Sequence, residues 1–212
     1  MAKLYFRYGA VGSAKTLNLL AVAHNYRQQE KRILILKPAL DTRFGANRVR
    51  SRAGLEQEAD IVLAAGEQIN ESRLPGIDCL LVDECQFLDP QAIEQLRRIT
   101  TDFNVPVICY GLRTDFRRRL FPGSQRLLEL ADAIEEVKTT CAFCNKKAIY
   151  NLKMVGGRAV GCADSDAVGG ASSNDPDDLK NLESVVDLGC EEKYLPTCAG
   201  CYGAKLAEPQ RE

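Results

Sequence analysis

Four cysteines in two Cys-x-x-Cys pairs constrain the folding of this 212-residue chain more than any other feature. The pairs are Cys141 with Cys144 and Cys198 with Cys201. Disulfides do not persist in a reducing compartment, so paired thiols at this spacing are typical of metal ligands. Four thiolates suit a tetrahedral Zn²⁺ in a closed, structural site. The spacing therefore predicts a zinc ion that joins two distant segments, with redox-active or unrelated thiols as the alternative.

A glycine-containing loop near the N-terminus has the pattern of a phosphate-binding loop. It follows an apolar strand pattern and opens a helical pattern, which is the context that such a loop requires. Backbone N–H groups at a helix N-terminus attract anions, Lys15 would reach the terminal phosphates of a nucleotide, and the Thr16 hydroxyl would bind Mg²⁺. An ordinary strand-to-helix turn with a surface lysine is the alternative. The predicted nucleotide-binding residues of this loop are Gly9, Ala10, Val11, Gly12, Ser13, Ala14, Lys15 and Thr16.

One position departs from the G-x-x-x-x-G-K-[ST] pattern, because Ala14 stands where the second glycine belongs. If this position requires a positive φ, alanine costs on the order of 1–2 kcal/mol. If the backbone there is right-handed helical, alanine costs almost nothing. Gly12 is the other residue that could give this loop its backbone freedom.

Two acidic residues, Asp83 and Glu84, directly follow the apolar run Cys79–Val82. The carboxyl end of a buried parallel strand lies at the sheet edge where ligands bind in such folds. This placement predicts Asp83 as a ligand of Mg²⁺, directly or through water. It predicts Glu84 as the acceptor of a proton from a hydroxyl group or a water molecule. Solvated or helix-capping carboxylates are the alternative.

Short apolar runs alternate with helical patterns over the first part of the chain. Such runs are typical of strands buried on both faces, and their alternation with helices predicts right-handed crossovers and a mostly parallel sheet. We therefore expect an α/β fold of the P-loop (RecA-like) type, with helices flanking the sheet, as a nucleotide-binding domain over residues 1–138. The strand patterns are Leu4–Phe6, Ile33–Leu36, Cys79–Val82 and Val105–Tyr110.

The composition changes after residue 138, and residues 139–212 are predicted to form a small zinc-binding domain. Ile149–Val160 alternates around Gly156-Gly157, which predicts a hairpin with a two-residue turn. Residues 163–181 are rich in Gly, Ser and Asp. Because that composition provides little apolar surface to bury, it predicts a loop.

Charge and hydropathy limit the classes of partner. The net charge of −1 gives no reason to expect binding to nucleic acid or to an anionic membrane. No apolar run approaches the roughly 20 residues that span a bilayer, and the N-terminus lacks a signal-peptide pattern, so we expect a cytoplasmic protein.

Two further features are expected to lie outside the catalytic machinery. Arg48, Arg50 and Arg52 alternate along the chain, which is typical of solvated charges on an exposed strand. The only histidine, His24, falls in a helical pattern, where a structural role is expected.

Taken together, these residues resemble the thymidine kinases of the zinc-containing, cytosolic class. The likeness extends from residue 3 to about residue 203 and includes the phosphate-binding loop and both cysteine pairs. Its most specific parts are Asp83-Glu-Cys-Gln-Phe87 and Tyr110-Gly-Leu-Arg-Thr-Asp-Phe-Arg117. Asp41-Thr-Arg43-Phe-Gly45 and Glu192-Lys193-Tyr194 match as well.

The resemblance implies transfer of the ATP γ-phosphate to the 5′-hydroxyl of thymidine, and also of deoxyuridine, which gives dTMP for DNA precursor salvage. In that reaction Glu84 would be the general base, while Thr16 and Asp83 would serve Mg²⁺. Lys15 and Arg43 would neutralise phosphate charge. Outside the phosphate-binding loop, the implied nucleotide-site residues are Asp41, Arg43, Asp83 and Gln86.

The resemblance also implies an acceptor pocket with apolar walls. The segment Val185–Tyr194, called the lasso here, would close over the pyrimidine, whose N–H and carbonyl groups an extended backbone can pair. An apolar cleft would discriminate the 5-methyl group by roughly 1–3 kcal/mol. The implied substrate-binding residues are Phe87, Phe116, Phe121, Asn151, Val186, Asp187, Leu188, Gly189 and Tyr194.

The resemblance further implies a homotetramer and feedback inhibition by dTTP. Two more departures from the family pattern are Cys190, which replaces the second glycine of a pair, and a long segment over residues 155–183. A rival interpretation is a nucleic-acid-stimulated P-loop ATPase with a zinc ribbon, because Asp-Glu-Cys-Gln is similar to a helicase-type motif. The near-neutral charge and the single nucleotide-binding lobe argue against that class. A non-catalytic binding module is a third interpretation.

Overall fold

The computed structural model describes residues 1–161 and 193–208. The chain divides into two compact units. The first consists of Met1–Arg113 and Leu120–Lys138, and the second of Thr114–Arg119 and Thr139–Glu212. The short segment Thr114–Arg119 therefore packs with the cysteine-bearing part of the chain, although it interrupts the sequence of the first unit.

A parallel sheet is the framework of the first unit. The strands of this unit are β1 (Leu4–Tyr8), β2 (Ile33–Pro38), β3 (Arg48–Arg50), β4 (Glu56–Glu58), β5 (Ile61–Leu63), β6 (Cys79–Val82), β7 (Val107–Gly111) and β8 (Ala133–Glu136). Six of them form one sheet in the order β5-β2-β6-β7-β1-β8, and each pairing in it is parallel. The predicted parallel sheet is confirmed, and all four predicted strands belong to it.

The helices of the first unit lie on both faces of this sheet. They are α1 (Lys15–Gln28), α2 (Pro90–Asp102) and α3 (Pro122–Leu130), together with short 3₁₀ helices at Glu71–Arg73 and Cys85–Phe87. Apolar residues of α1 pack in one cluster, and those of α2 and α3 pack in another. α2 begins with a side-chain cap, because the Asp89 carboxylate accepts a hydrogen bond from the Ala92 amide at 2.7 Å and Pro90 occupies the first turn.

β6 shows why these apolar runs fold as central strands. Its four residues are fully buried, with Cys79 and Leu81 in the α1 cluster and Leu80 and Val82 in the opposite one. Side chains alternate between the two faces of a strand, so each face needs its own apolar residues. The parallel strands bring their carboxyl ends to one edge, where the segments that follow β1, β2, β6 and β7 meet.

β3 and β4 form a separate antiparallel pair outside the main sheet. Arg48 and Arg50 lie on its exposed side and face the Glu56 carboxylate at 3.5 and 3.9 Å. The prediction of solvated charge for these two arginines is confirmed. His24 lies on the exposed side of α1. Among the described residues, no helix combines the length and the apolar character that crossing a membrane requires.

The second unit contains a small antiparallel sheet with the strand order β10-β9-β11, formed by β9 (Tyr150–Val155), β10 (Arg158–Val160) and β11 (Lys193–Thr197). The predicted hairpin is confirmed between the first two of these strands. Gly156 and Gly157 have φ values of 54° and 80°, and a two-residue hairpin turn of this kind needs positive φ at both positions. Helix α4 (Ala199–Leu206) follows β11.

Asp132 joins the start of β8 to the start of β1. Its carboxylate accepts hydrogen bonds from the Leu4 amide at 2.8 Å and from Arg97. The Leu4 amide and the charge of Arg97 lower the pKa of Asp132, against the opposing effect of desolvation. A carboxylate held in this way stabilises the fold in its ionised form.

We expect Asp132→Asn to lower the free energy of unfolding at pH 7, with a gap that closes in acid. Because the pKa of Asp132 is lower in the folded state, its contribution is present above the unfolded pKa of about 3.9 and is lost as the pH falls through the folded pKa. Denaturant unfolding of both proteins at pH 7 and below pH 4 measures the gap. A gap that stays constant over this range would contradict the assigned role.

Candidate active site

The turn after β1 wraps closely around its own backbone. A Cβ atom at Gly9 would lie 2.3 Å from the Val137 carbonyl oxygen and 2.5 Å from Ser13 Oγ, so only glycine fits there. The Ser13 amide donates a hydrogen bond to the Ala10 carbonyl at 3.3 Å. The loop therefore turns back on itself before α1 begins at Lys15, and it leaves backbone N–H groups of the first helical turn available to an anion.

The Lys15 ammonium is held within this loop. It donates hydrogen bonds to the carbonyl oxygens of Gly9 at 3.0 Å and Ala10 at 2.9 Å, and to Ser13 Oγ at 3.2 Å. Burial lowers the pKa of Lys15, and the negative charge of Glu84 acts in the opposite direction. The loop thus places a desolvated cation close to a carboxylate.

Ala14, the departure from the loop pattern, adopts the left-handed conformation with φ 62° and ψ 27°. The first of the two alternatives for this position is therefore the observed one, and alanine is strained here. Gly12 also has a positive φ of 73°. Gly12 therefore does not spare Ala14 the left-handed conformation, because both residues adopt it. The Ala14 carbonyl then accepts the first helical hydrogen bond, from the Asn18 amide at 2.9 Å.

Asp83 lies at the carboxyl end of β6, beside the phosphate-binding loop. The Thr16 hydroxyl donates to its two carboxylate oxygens, at 3.3 Å to Oδ1 and 3.2 Å to Oδ2. Burial and the negative charge of Glu84 raise the pKa of Asp83 to about 7. A hydroxyl and a carboxylate in contact are the kind of oxygen donors that Mg²⁺ prefers, so these two residues could hold that ion.

Both carboxylate oxygens of Glu84 are hydrogen-bonded. Oε1 accepts from Arg43 Nη2 at 2.5 Å, and Oε2 accepts from Gln86 Nε2 at 2.6 Å. The Gln86 side chain is itself fixed, because its Oε1 accepts a hydrogen bond from the Leu112 amide at 2.9 Å. Glu84 is therefore oriented by one cation and by one amide that is anchored to the end of β7.

The backbone conformation of Glu84 is unusual, and its surroundings favour the charged form of its side chain. Its φ of 49° and ψ of 39° are left-handed, a conformation that non-glycine residues adopt mainly at constrained or functional positions. Burial acts to raise the pKa of this carboxyl, but the charges of Arg43 and Lys15 and the hydrogen bonds from Arg43 and Gln86 lower it overall. These groups thereby favour the ionised form of a carboxylate that is only partly exposed.

Arg43 connects Glu84 to a second carboxylate. Its Nε donates to Asp41 Oδ1 at 2.7 Å, while Nη2 reaches Glu84. The negative charge of Glu84 is the main cause that raises the pKa of Arg43. One guanidinium thus bridges two acids that lie far apart in the sequence, and the predicted proximity of Asp41 and Arg43 to the phosphate-binding loop is observed.

These groups surround one cavity of about 480 Å³ in the first unit. The phosphate-loop residues Val11–Thr16 line it together with Asp41, Arg43, Asp83 and Glu84. Gly9, Ala10 and Gln86 contact lining residues instead, through the hydrogen bonds to Lys15 and Glu84. The structure therefore brings together the whole predicted nucleotide site around a space that suits a polyphosphate and its cation.

Two of the aromatic residues predicted to bind substrate meet in the first unit. The rings of Phe87 and Phe121 pack edge to face, with centroids 5.8 Å apart and an interplanar angle of 78°. Phe87 belongs to the turn that carries Glu84 and Gln86. Phe87 lies three residues after the candidate base, and its ring brings Phe121 to the same turn.

The other described residues that are predicted to bind substrate lie in the second unit. Phe116 contacts Tyr194 at a centroid distance of 6.5 Å, and the Asn151 amide group donates to the Thr114 carbonyl at 3.0 Å. Their roles toward a nucleoside stay predictions. The remaining predicted residues of the lasso, which lie outside the described residues together with Cys190, are Val186, Asp187, Leu188 and Gly189.

The four cysteines of the two pairs come together in the second unit. Their sulfur atoms all lie within 4.8 Å of one another, and Cys144 Sγ is 3.6 Å from Cys198 Sγ. Tetrahedral zinc with sulfur ligands at 2.3 Å requires sulfur atoms about 3.8 Å apart. Backbone amides of Phe143 and Cys201 donate to Cys141 Sγ and Cys198 Sγ at 3.4 Å, as befits thiolates. This cluster could hold a structural zinc ion.

Lys37 is a charged residue of this region that the sequence patterns did not identify. It lies in β2, its side chain is fully buried, and its ammonium faces Asp41 Oδ2 at 3.4 Å. A lysine at the end of an otherwise apolar strand pattern was the available signal. Such a residue is usually solvent-exposed, so the pattern alone gave no reason to place it in the site.

Comparison with known proteins identifies the relatives of this chain. The family described as thymidine kinase matches residues 2–202. A thymidine kinase of Lactiplantibacillus plantarum is 45% identical over 172 residues, which cover 80% of this chain and 90% of that protein. A thymidine kinase of Lactococcus lactis subsp. lactis is 41% identical over 206 residues, covering 95% and 97% of the two chains.

Among solved structures, the Pif1 helicase of Candida albicans is similar over 64% of this chain and 36% of the helicase chain. The TM-score is 0.38 and the sequence identity is 11%. A likeness at that level supports no argument about function.

We expect Ala14→Gly to raise the free energy of unfolding by about 1 kcal/mol, because glycine relieves the left-handed strain. The dissociation constant for ATP should change by less than about threefold, because the loop already has its turn in place. Ala21→Gly, at an exposed position inside α1, is the matched control and should instead destabilise by about 1 kcal/mol. Denaturant unfolding and equilibrium binding measure both effects. Equal destabilisation by the two substitutions would contradict strain at Ala14.

We expect the purified protein to contain one zinc ion per chain, and Cys144→Ser to abolish it. Removing one of four thiolates leaves an incomplete tetrahedral site, and structural zinc contributes directly to folding. Elemental analysis and thermal unfolding, with and without a chelator, measure the effect. Cys79→Ala, in the core of the first unit, is the control and should retain zinc. Full zinc retention by the Cys144 variant would exclude the predicted ligand set.

Proposed function

The chain belongs to the thymidine kinase family, and from this premise we propose that it transfers the γ-phosphate of ATP to the 5′-hydroxyl of thymidine and of deoxyuridine. Membership of this family makes it an ATP-dependent nucleoside kinase. The observation that carries the proposal is the cavity in which the phosphate-binding loop meets Glu84, both of whose carboxylate oxygens accept hydrogen bonds.

We assign the triphosphate of ATP to the loop Gly9–Thr16. Backbone N–H groups at the start of α1 would receive phosphate oxygens, and the positive end of the helix would favour them. The Lys15 ammonium, which donates to loop carbonyls at about 3 Å in the structure, would exchange those neutral acceptors for phosphate oxygens. The donor is thereby fixed at the carboxyl edge of the sheet.

We assign Mg²⁺ to Thr16 and Asp83, whose oxygen atoms are already in contact. When bound with ATP, this ion supplies neutralisation of the charge that develops during phosphoryl transfer. Asp83 is buried and has a raised pKa, so a divalent cation would favour its ionised form. The chain itself contributes the fixed position of these two oxygen donors.

We assign the general base to Glu84. The ionised carboxylate would accept the proton of the 5′-hydroxyl as its oxygen attacks the γ-phosphorus, and the P–O bond to ADP would break. Arg43, already beside Glu84, would turn toward the charge on the transferring phosphoryl group. We place the nucleoside acceptor against the paired rings of Phe87 and Phe121, because Phe87 belongs to the turn that follows Glu84.

Further proposals come from the family likeness and the cysteine cluster. We propose a structural zinc ion bound by Cys141, Cys144, Cys198 and Cys201. We also propose a cytoplasmic homotetramer that is subject to feedback inhibition by dTTP. The lasso and its contacts with the pyrimidine ring of the nucleoside stay predictions that come from the family resemblance.

One assay separates this function from the rival ATPase. ATP consumption is measured with thymidine, with single-stranded DNA and with neither. The kinase requires thymidine-dependent formation of dTMP that equals the ADP produced. ATP turnover that responds only to DNA would favour the ATPase instead, and binding of ATP without any turnover would favour a non-catalytic module.

We expect Glu84→Gln to lower kcat by at least about 100-fold, because the amide cannot accept the proton of the hydroxyl. The dissociation constant for ATP should change little, because Gln keeps the shape of the side chain and the loop is intact. Steady-state kinetics and ATP binding measure the two effects. Glu58→Gln, an exposed change on β4, is the matched control and should keep the wild-type kcat. A near-normal rate in the Glu84 variant would exclude it as the base.

A further inference from the structure

Lys37 is a fully buried lysine whose three donor positions are all matched by acceptors. Its side chain has no exposed area. The ammonium donates to the Arg48 carbonyl at 2.9 Å and the Gly45 carbonyl at 3.3 Å, and it faces Asp41 Oδ2 at 3.4 Å. An ammonium group has three N–H donors, and burial of its charge is tolerated only when such partners are present.

These contacts connect Lys37 to the candidate base through alternating charges. Asp41 presents Oδ2 to Lys37 and Oδ1 to Arg43 Nε at 2.7 Å. Arg43 in turn presents Nη2 to Glu84 Oε1 at 2.5 Å. The sequence of charges from the buried end outward is therefore positive, negative, positive and negative.

The division of the Asp41 oxygens determines where Arg43 points. A guanidinium and a carboxylate commonly pair through two parallel hydrogen bonds. Here Lys37 occupies one carboxylate oxygen, so Arg43 uses only Nε toward Asp41 and keeps Nη2 for Glu84. Lys37 also holds the Gly45 and Arg48 carbonyls, which fix the chain that follows Arg43.

We propose that Lys37 is a positioning residue for phosphoryl transfer, which fixes Asp41 so that Asp41 holds the Arg43 Nε between Glu84 and the transferring phosphoryl group. This inference depends on the proposed function, in which Glu84 is the base and Arg43 stabilises the transferring phosphoryl group. Lys37 touches neither substrate nor reacting atoms. Loss of Lys37 should therefore lower kcat and leave KM nearly unchanged, because the position of Arg43 matters most in the transition state.

The experiment combines Lys37→Met with Asp41→Asn in a double-mutant cycle. Met keeps the length of the side chain and removes the charge. We expect Lys37→Met to lower kcat by about tenfold or more, with KM values for ATP and thymidine within about threefold of wild type. In the Asp41→Asn background the same change should lower kcat by less than about twofold, because the path through Asp41 is already broken.

Ile99→Ala is the control for a purely structural effect, because it opens a cavity in the core cluster that α2 and α3 form in the same unit. It should lower the melting temperature while keeping kcat at temperatures where the protein is folded. If Lys37→Met alone does not fold, the inference requires Asp41→Asn to lower kcat by about tenfold or more and the double variant, which buries no unpaired charge, to lose less than about twofold beyond it.

Three outcomes would overturn the inference. One is a folded Lys37→Met with kcat within about twofold of wild type. Another is a further loss of about tenfold or more when Lys37→Met is added to Asp41→Asn. The third is a similar fall of kcat in Ile99→Ala. Failure of the proposed function is distinct from all three, because the wild-type protein would then form no dTMP from ATP and thymidine.

Discussion

The candidate site depends on two consecutive carboxylates beside two cations, of which Asp83 is buried and Glu84 is partly exposed. Asp83 and Glu84 repel each other, and burial disfavours the charge on both. Arg43 and Lys15 offset this cost for Glu84, so its pKa is lowered while that of Asp83 is raised to about 7. Environments that separate the pKa values of two neighbouring acids give them separate roles. The proposed division into a base and a metal ligand rests on their contacts, because Asp83 accepts the Thr16 hydroxyl whereas Glu84 lies between Arg43 and Gln86.

Strained backbone marks both turns that carry these groups. Ala14 directly precedes α1 and Glu84 directly follows β6, and each has a left-handed conformation that costs on the order of 1–3 kcal/mol. Such conformations persist when the surrounding structure determines them. The parallel sheet provides that support, because β1 and β6 both pair with β7 and bring the two turns to one edge. The strain is therefore localised where a ligand would make its contacts.

The sequence predicted what local patterns encode, and it missed what distant contacts determine. The buried strands, the cap of α2 by Asp89 and the hairpin at Gly156-Gly157 each depend on short-range periodicity or turn chemistry, and they were predictable. The contact of Arg43 with Glu84 joins segments that follow two different strands, so the separate motifs could not reveal it. The burial of Lys37 was unpredictable for the same reason, because it also depends on a distant segment. The chain around Gly45 and Arg48 covers the Lys37 ammonium, and no local pattern places that segment over β2.

The contacts of Glu84 also indicate which partner gives way to a substrate hydroxyl under the proposed function. Gln86 is 1% exposed and is anchored by the Leu112 amide, whereas the Arg43 side chain is 38% exposed. A hydroxyl can therefore replace Arg43 at Oε1 more easily than it can replace Gln86 at Oε2. Because Asp41 retains the Arg43 Nε, the displaced guanidinium stays within the same cavity, where the phosphates of the donor would lie. Binding of the acceptor hydroxyl would thus displace Arg43 from Glu84, and the same short movement would bring the guanidinium to the transferring phosphoryl group.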